Sequence, residues 1–260
     1  MRASIYPALL LIAAVGCGPR TPTTAEIDPA LARLIPSDTL ALVDVKADAL
    51  RTTPLFQKYV AERLQSLKVT DDVSEALAVS NGKDVTIFTK GKSGIALYDQ
   101  QGNKSAPPAR SGGVPPALRG LLRGIPAQNQ IFGAGLGSAI PAPDAMPQPG
   151  NLVNVVKALQ TWTLAADLRS SVKMQVDGVY KTEADAKQIH DALRGLLGIA
   201  RLSTPSDAPE MLRVWDGIQI TMEKATLHVS TDISADLVEK AVERVRRKGT
   251  PGRSPLPGLF

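Results

Sequence analysis

The side chains able to do chemistry are few, and their scarcity decides more than any motif. The 260 residues hold two histidines, His190 and His228, and one cysteine, Cys17. A zinc site needs three or four nitrogen or thiolate ligands, and a thiolate nucleophile needs an embedded cysteine beside a base, so neither chemistry is expected. His190 falls among Lys187, Asp191 and Arg194 on the polar side of a helical stretch, and His228 alternates with Leu227 and Val229 beside Thr226 and Ser230. Both read as solvated histidines. The carboxylate pairs Asp71-Asp72, Glu183 with Asp185, and Asp207 with Glu210 all read as helix starts, where negative charge meets the positive end of the dipole. A catalytic carboxylate pair would have to converge from distant segments.

The glycine motifs fail on spacing. Gly91-Lys92-Ser93 ends as a phosphate-binding loop ends, but Thr86 stands where that loop needs its first glycine, so a hairpin turn explains it better. Gly133-Ala-Gly-Leu-Gly137 breaks the dinucleotide pattern at Ser138 and runs into prolines, which reads as a flexible connector. No Gly-x-Ser-x-Gly elbow is present. Trp162 and Trp215 stand in apolar segments of a chain with 4% aromatic residues and read as packing residues. No catalytic, cofactor-binding or metal-ligating residue is assigned, no cofactor is expected, and the chain is read as a protein other than an enzyme.

The one cysteine has a better use at the N-terminus. Arg2 supplies a positive charge, Ile5 to Val15 is almost unbroken apolar chain, and Ala14-Val15-Gly16-Cys17 follows, the layout of an export signal. A helix of that run rises about 16 Å, half of a hydrocarbon core about 30 Å thick, so it is too short to span. The tetrapeptide resembles the lipobox of bacterial lipoproteins, departing from it at Ala14, where leucine is usual. The resemblance implies cleavage before Cys17, acylation of that cysteine (a palmitate-type lipid anchor), and tethering to a bacterial membrane; Gly18 in place of aspartate implies the outer one. It says nothing of the fold that follows.

The elements behind the leader alternate. Removing residues 1–16 from the 260 leaves 244, with 43% of the whole chain apolar, enough for a real core. The formal charge of +5 is too small for a nucleic-acid footprint, and the excess is local: Gln100 to Pro143 holds Lys104, Arg110, Arg119 and Arg123 and no acid. Residues 17–30 read as a flexible tether, 31–104 as a first α+β unit, 105–150 as a Pro/Gly-rich basic connector, 151–248 as a second α+β unit and 249–260 as a disordered tail. Strands are expected at 39–46, 84–90, 94–99, 161–168, 172–180, 218–222 and 226–232. Helices are expected from Pro54 behind a Thr53 cap, over 183–197 with Ile189, Leu193, Leu196 and Leu197 inward, and over 235–247 behind Ser234.

The two halves align at an offset of about 133 residues, which suggests a duplicated strand-helix-hairpin-helix unit. Strands arriving as hairpins between helices predict α+β architecture, an antiparallel sheet with helices packed on one face. The layout resembles that of uncharacterised bacterial envelope lipoproteins with an α+β domain opening on a segment like Pro36 to Leu40, and that resemblance brings no activity. The expectation for function is an exported, membrane-anchored envelope lipoprotein, a non-catalytic module that binds an envelope protein or a cell-wall partner and no nucleic acid. The alternative is an exported enzyme or small-ligand binder built from scattered carboxylates.

Overall fold

The computed structural model describes residues 24–59, 72–107, 112–139 and 157–248. Cys17, the leader and the tail lie outside the described residues, as do residues 17–23 of the expected tether. Thr24 bridges to Pro126, and Ala25 N–H donates to the Ile125 carbonyl at 2.8 Å. Residues 24–30, expected to belong to the tether, are therefore part of the fold.

Among the described residues seven helices and ten strands follow in chain order. They are α1 (Pro29–Ala32), β1 (Ala41–Val45), α2 (Ala47–Arg51), α3 (Pro54–Tyr59), β2 (Val73–Ser80), β3 (Val85–Gly91), β4 (Gly94–Tyr98) and β5 (Lys104–Ser105). Then come α4 (Pro116–Leu122), β6 (Ile131–Leu136), β7 (Leu159–Asp167), β8 (Ser171–Tyr180), α5 (Glu183–Leu202), α6 (Pro209–Asp216), β9 (Ile218–Glu223), β10 (Thr226–Ser234) and α7 (Ala235–Lys248). The strands form one sheet in the order β5-β4-β3-β2-β1-β6-β7-β8-β10-β9, and every ladder is antiparallel. The α+β class with an antiparallel sheet is as the sequence predicts.

Three expectations fail, each for a physical reason. The first concerns residues 105–150: the two helical turns that Ala117 to Leu122 predict within the connector are there as α4, but the stretch also supplies strand β6, which pairs with β1 on one side and β7 on the other, so the expected connector holds the middle of the sheet. Its glycines misled because they alternate. A Cβ on Gly133 would stand 2.6 Å from the Leu42 carbonyl oxygen, and one on Gly135 would stand 2.6 Å from the Trp162 ring and 2.7 Å from the Ala41 Cβ. A Cβ on Gly137, just past the strand, would overlap the Leu159 carbonyl. Glycine here answers a close approach of neighbouring strands.

The second is the helices' shared face. Antiparallel partners project to the same side, so the registers trace each face across the sheet. One face runs Leu97, Phe88, Leu77, Asp44, Phe132, Ala165, and it is covered by Leu31, Leu34 and Ile35 in and behind α1 and by Leu118 and Leu122 of α4. Beyond Ala165 the same row continues as Gln175, Ser230 and Gln219. The apolar side of that half is the other one: Leu164, Val176, Val229 and Ile220 share a row, and α5 packs on this side through Ala186, Ile189 and Leu193. The helices thus divide between the two faces because the pattern of β8 to β10 is out of phase with that of β1 to β4.

The third is β2: Asp71-Asp72 predicts a helix start, but Asp72 precedes a strand whose burial alternates through Glu75, Leu77 and Val79. The strand order also places the halves differently. β10 lies directly on β8, whereas β2 parts β1 from the β3–β4 hairpin, so the aligned hairpins do not occupy matching places.

Local signals hold elsewhere. The Thr53 hydroxyl accepts from Phe56 N–H at 3.3 Å, and Thr182 accepts from Asp185 N–H at 3.1 Å as the cap of α5. The β3–β4 turn pairs Gly91 with Gly94 around Lys92-Ser93. Lys58 of α3 reaches Glu239 and Glu243 of α7 at 2.6 and 3.4 Å, tying the first half to the last helix.

Gly135→Ala is expected to cost about 1–3 kcal/mol through overpacking against the Trp162 ring. The cost should shrink in a Trp162→Ala background, measured by urea unfolding of the four proteins of the cycle; equal costs in both backgrounds would contradict the ring-on-strand contact.

Candidate functional site

The polar face of the second half-sheet follows from strict alternation in β8, where Val172, Met174 and Val176 turn to α5's side and Lys173, Gln175 and Asp177 turn away. Register then assembles three polar rows. Gln175, Ser230 and Gln219 form one, Asp167, Lys173 and Asp232 lie on one side of it, and Thr163, Asp177, His228 and Thr221 on the other. The first two rows and the loop carrying Gln128 and Asn129 enclose a groove of about 420 Å³. Its size is that of a small-ligand cleft, with amides and hydroxyls in place of the usual apolar lining.

Charges in this region come in pairs. Arg169 donates to both Asp167 oxygens at 2.9 and 2.6 Å, and this partner, against the opposing effect of partial burial, holds the carboxyl down at about 2. Buried Gln130 fixes the corner, donating to Asp167 at 3.2 Å and accepting from Leu168 N–H at 2.7 Å. Lys173 stands 3.6 Å from Asp232, which also accepts from the Ser171 hydroxyl at 2.9 Å. Compensated charges among amides and hydroxyls suit a neutral polar ligand better than an ion, since every donor and acceptor of such a ligand can be matched without leaving a charge unpaired.

His228 is on the outward face, as expected, but it has a partner the sequence did not show. Its Nδ1 lies 2.7 Å from Asp177 Oδ1, while Gln175 donates to the other Asp177 oxygen at 2.8 Å. Asp177 and His228 are 51 positions apart, and only the β8–β10 register unites them. An aspartate orienting an imidazole is one half of a proton-transfer site, and Thr221 and Ser230 carry hydroxyls on the same face.

The remaining sequence candidates disperse. His190 sits 2.9 Å from Asp191 on α5, and Glu183 and Asp185 lie in the first turn of that helix. Asp207 and Glu210 both bind Arg244 of α7. Trp215 donates to the Thr204 hydroxyl at 3.0 Å, and Trp162 lies against Gly135. Leu196, expected inward, is 58% exposed, and with Ile199 at 61% and Leu202 at 89% it forms an uncovered aliphatic row along α5. Cys17 lies outside the described residues.

A buried acidic cluster went unread. Asp44, in the run Leu-Ala-Leu-Val-Asp-Val, is fully buried beneath α1 and α4, with Lys46 Nζ 3.4 Å from its Oδ1 and 2.7 Å from Glu75 Oε2. Burial first, and the neighbouring Glu75 carboxyl second, raise the Asp44 pKa to about 8, while the Lys46 ammonium pulls the other way. The same cluster holds the N-terminal segment: Lys46 donates to the Glu26 carbonyl at 2.6 Å, Glu75 accepts from Asp28 N–H at 2.7 Å, and Lys90 pairs with the Asp28 carboxylate.

No protein-family model and no curated protein matches the chain. Among solved structures, crystal form I of TP0453 is similar at 8% identity with a TM-score of 0.38, over 85% of this chain and 99% of that one. A likeness at that score carries no inference about fold or function.

The buried carboxyl has a measurable signature. Asp44 stays protonated in the folded chain up to about 8, whereas the unfolded side chain ionises near its ordinary value of about 4, so folding takes up a proton between them and stability should fall as pH rises through that window. Asp44→Asn should flatten this slope in urea titrations between pH 5 and 8; an unchanged slope would assign it to other groups.

Proposed function

We propose that the chain is exported, cleaved before Cys17 and held by acyl chains on that cysteine at a bacterial outer membrane, and that its folded part is a non-catalytic binding module. Its ligand is a neutral polar segment of the cell wall, a glycan or a peptide, laid across the open face of β7, β8, β10 and β9. The observation that carries this reading is the groove lined by Gln175, Gln219, Ser230, Gln128 and Asn129 with its charges already compensated. Such a lining supplies hydrogen bonds without demanding a counter-charge. The lipobox resemblance supports the location, because an anchored protein of the envelope meets the cell wall at short range.

His228 held by Asp177 favours a second reading, in which the same face hydrolyses what it binds. One set of measurements separates the two. At 0.5 M salt Cys17→Ser should move the protein from the membrane pellet to the soluble fraction, and retention of the variant in the pellet at that salt would refute the anchor. Soluble cell-wall muropeptides titrated into the protein should bind, and the Gln219→Leu, Ser230→Ala pair should weaken binding at least tenfold with the unfolding midpoint unchanged. No binding, or binding indifferent to those changes, would refute the groove. Cleavage of the muropeptide that is lost in His228→Ala would establish the hydrolase instead.

A further inference from the structure

A second surface, on the opposite half of the molecule, carries charge of a different kind. The N-terminal segment from Thr24 to Ile27 runs beside α1 and α4, and between them lies a groove of about 580 Å³ bordered by Ile27, Val114, Arg33, Arg119 and Arg123. All three arginines are exposed. None forms an ion pair with a described residue; Arg119 spends one hydrogen bond, 3.0 Å, on the Val114 carbonyl. By contrast Arg51, Arg169, Arg201 and Arg244 each pair with a carboxylate. Glu26 is the one acid lining the groove, and α4 stands in the middle of the stretch Gln100 to Pro143, which contains no acid at all. Three exposed guanidinium groups without an ion pair to a described residue, around a partly apolar groove, are what a layer of phosphodiester headgroups complements: charge for the phosphates, and an apolar floor for the upper part of the acyl region.

Position selects a membrane over a diffusing anion. The groove borders Thr24, and seven peptide units separate Thr24 from Cys17, a span of about 25 Å at full extension. A lipid on Cys17 therefore holds this side of the domain within reach of the bilayer, and a single lipid signal is typically reinforced by a basic patch next to it.

We infer that the α1–α4 surface, through Arg33, Arg119 and Arg123, docks on anionic phospholipid headgroups and sets the orientation of the domain on its membrane. The geometric part of this inference rests on the lipid anchor proposed above; the binding itself does not.

The test uses the processed chain, beginning at residue 17 and carrying Cys17→Ser, so that no acyl chain contributes and failure of the anchor reading leaves the result intact. Sedimentation with vesicles of phosphatidylglycerol and phosphatidylethanolamine should recover the protein, and vesicles of phosphatidylcholine alone should not. Each arginine near an anionic surface strengthens binding about fivefold, so the Arg33→Gln, Arg119→Gln, Arg123→Gln triple variant should bind about a hundredfold more weakly. Raising the salt from 0.1 to 0.5 M should weaken the unsubstituted protein as well. The triple variant should keep its unfolding midpoint, because none of the three side chains is buried or ion-paired with a described residue, and the single reversal Arg123→Glu provides a second variant should the triple fail to fold. An Arg194→Gln, Arg213→Gln pair, on the helices of the other half, should leave vesicle binding unchanged. Equal recovery on both vesicle types, or full binding by the triple variant, would overturn the inference. Displacement from vesicles by millimolar inorganic phosphate would assign the arginines to a free-phosphate site and overturn it too.

Discussion

Strand β6 can occupy the middle of the sheet because it alternates bulk with nothing. Phe132 and Ala134 fill the core beneath α1 and α4, while Gly133 and Gly135 on the opposite side let β1 and β7 close in and let the Trp162 ring lie where a side chain would have stood. Every larger feature depends on that fit. Without β6 the strands before it and after it would be two small sheets, each with an open edge, and the apolar rows of the first half would have no continuation into the second.

The same strand sits where burial changes sides. To one side of β7 the row through Phe132 is core; past Ala165 it becomes Gln175, Ser230 and Gln219 and meets water. An antiparallel sheet with one solvated face normally keeps that face throughout. Here the solvated face switches, so the helices α1 and α4 cover one half and α5 the reverse of the other, and the second half is left with a polar free side. The polar groove is the free side of the second half. The arginine-lined groove lies on the outer surface of the helices that cover the first, close to where the chain emerges from its N-terminal segment. Two surfaces with different chemistry, one neutral and hydrogen-bonding, one cationic, are thereby held on a single rigid sheet.

Much of this was legible in the residues. The strands with clean alternation, β8 and the β9–β10 hairpin, the threonine-capped helices α3 and α5, and helix α7 declared themselves, because two-residue and three-to-four-residue periods are local. The β3–β4 turn was equally plain from Gly91 to Gly94. What was hidden depends on partners far away in sequence. The run Gly133 to Gly137 looks like a loop until Leu42, Ala41 and Trp162 are known to press on it. Asp44 resembles any outward strand residue until α1 and α4 close over it, and His228 resembles any solvated histidine until register sets it against Asp177. The face on which a helix packs is likewise a matter of pleat phase between strands, which no single segment records. Leu196, Ile199 and Leu202 show the converse: three aliphatic residues at helical spacing, adjoining a buried stripe, that the fold leaves uncovered.

Amide hydrogen exchange under native conditions tests the central position of β6 most directly. The amides of Ile131 to Leu136, bonded to β1 and β7 on both sides, should exchange only with global unfolding, as slowly as those of β1 and more slowly than those of the edge strands β5 and β9. Exchange of that segment at the rate of an open loop, while β1 and β8 remain protected, would contradict the single sheet and restore two separate units joined by a connector.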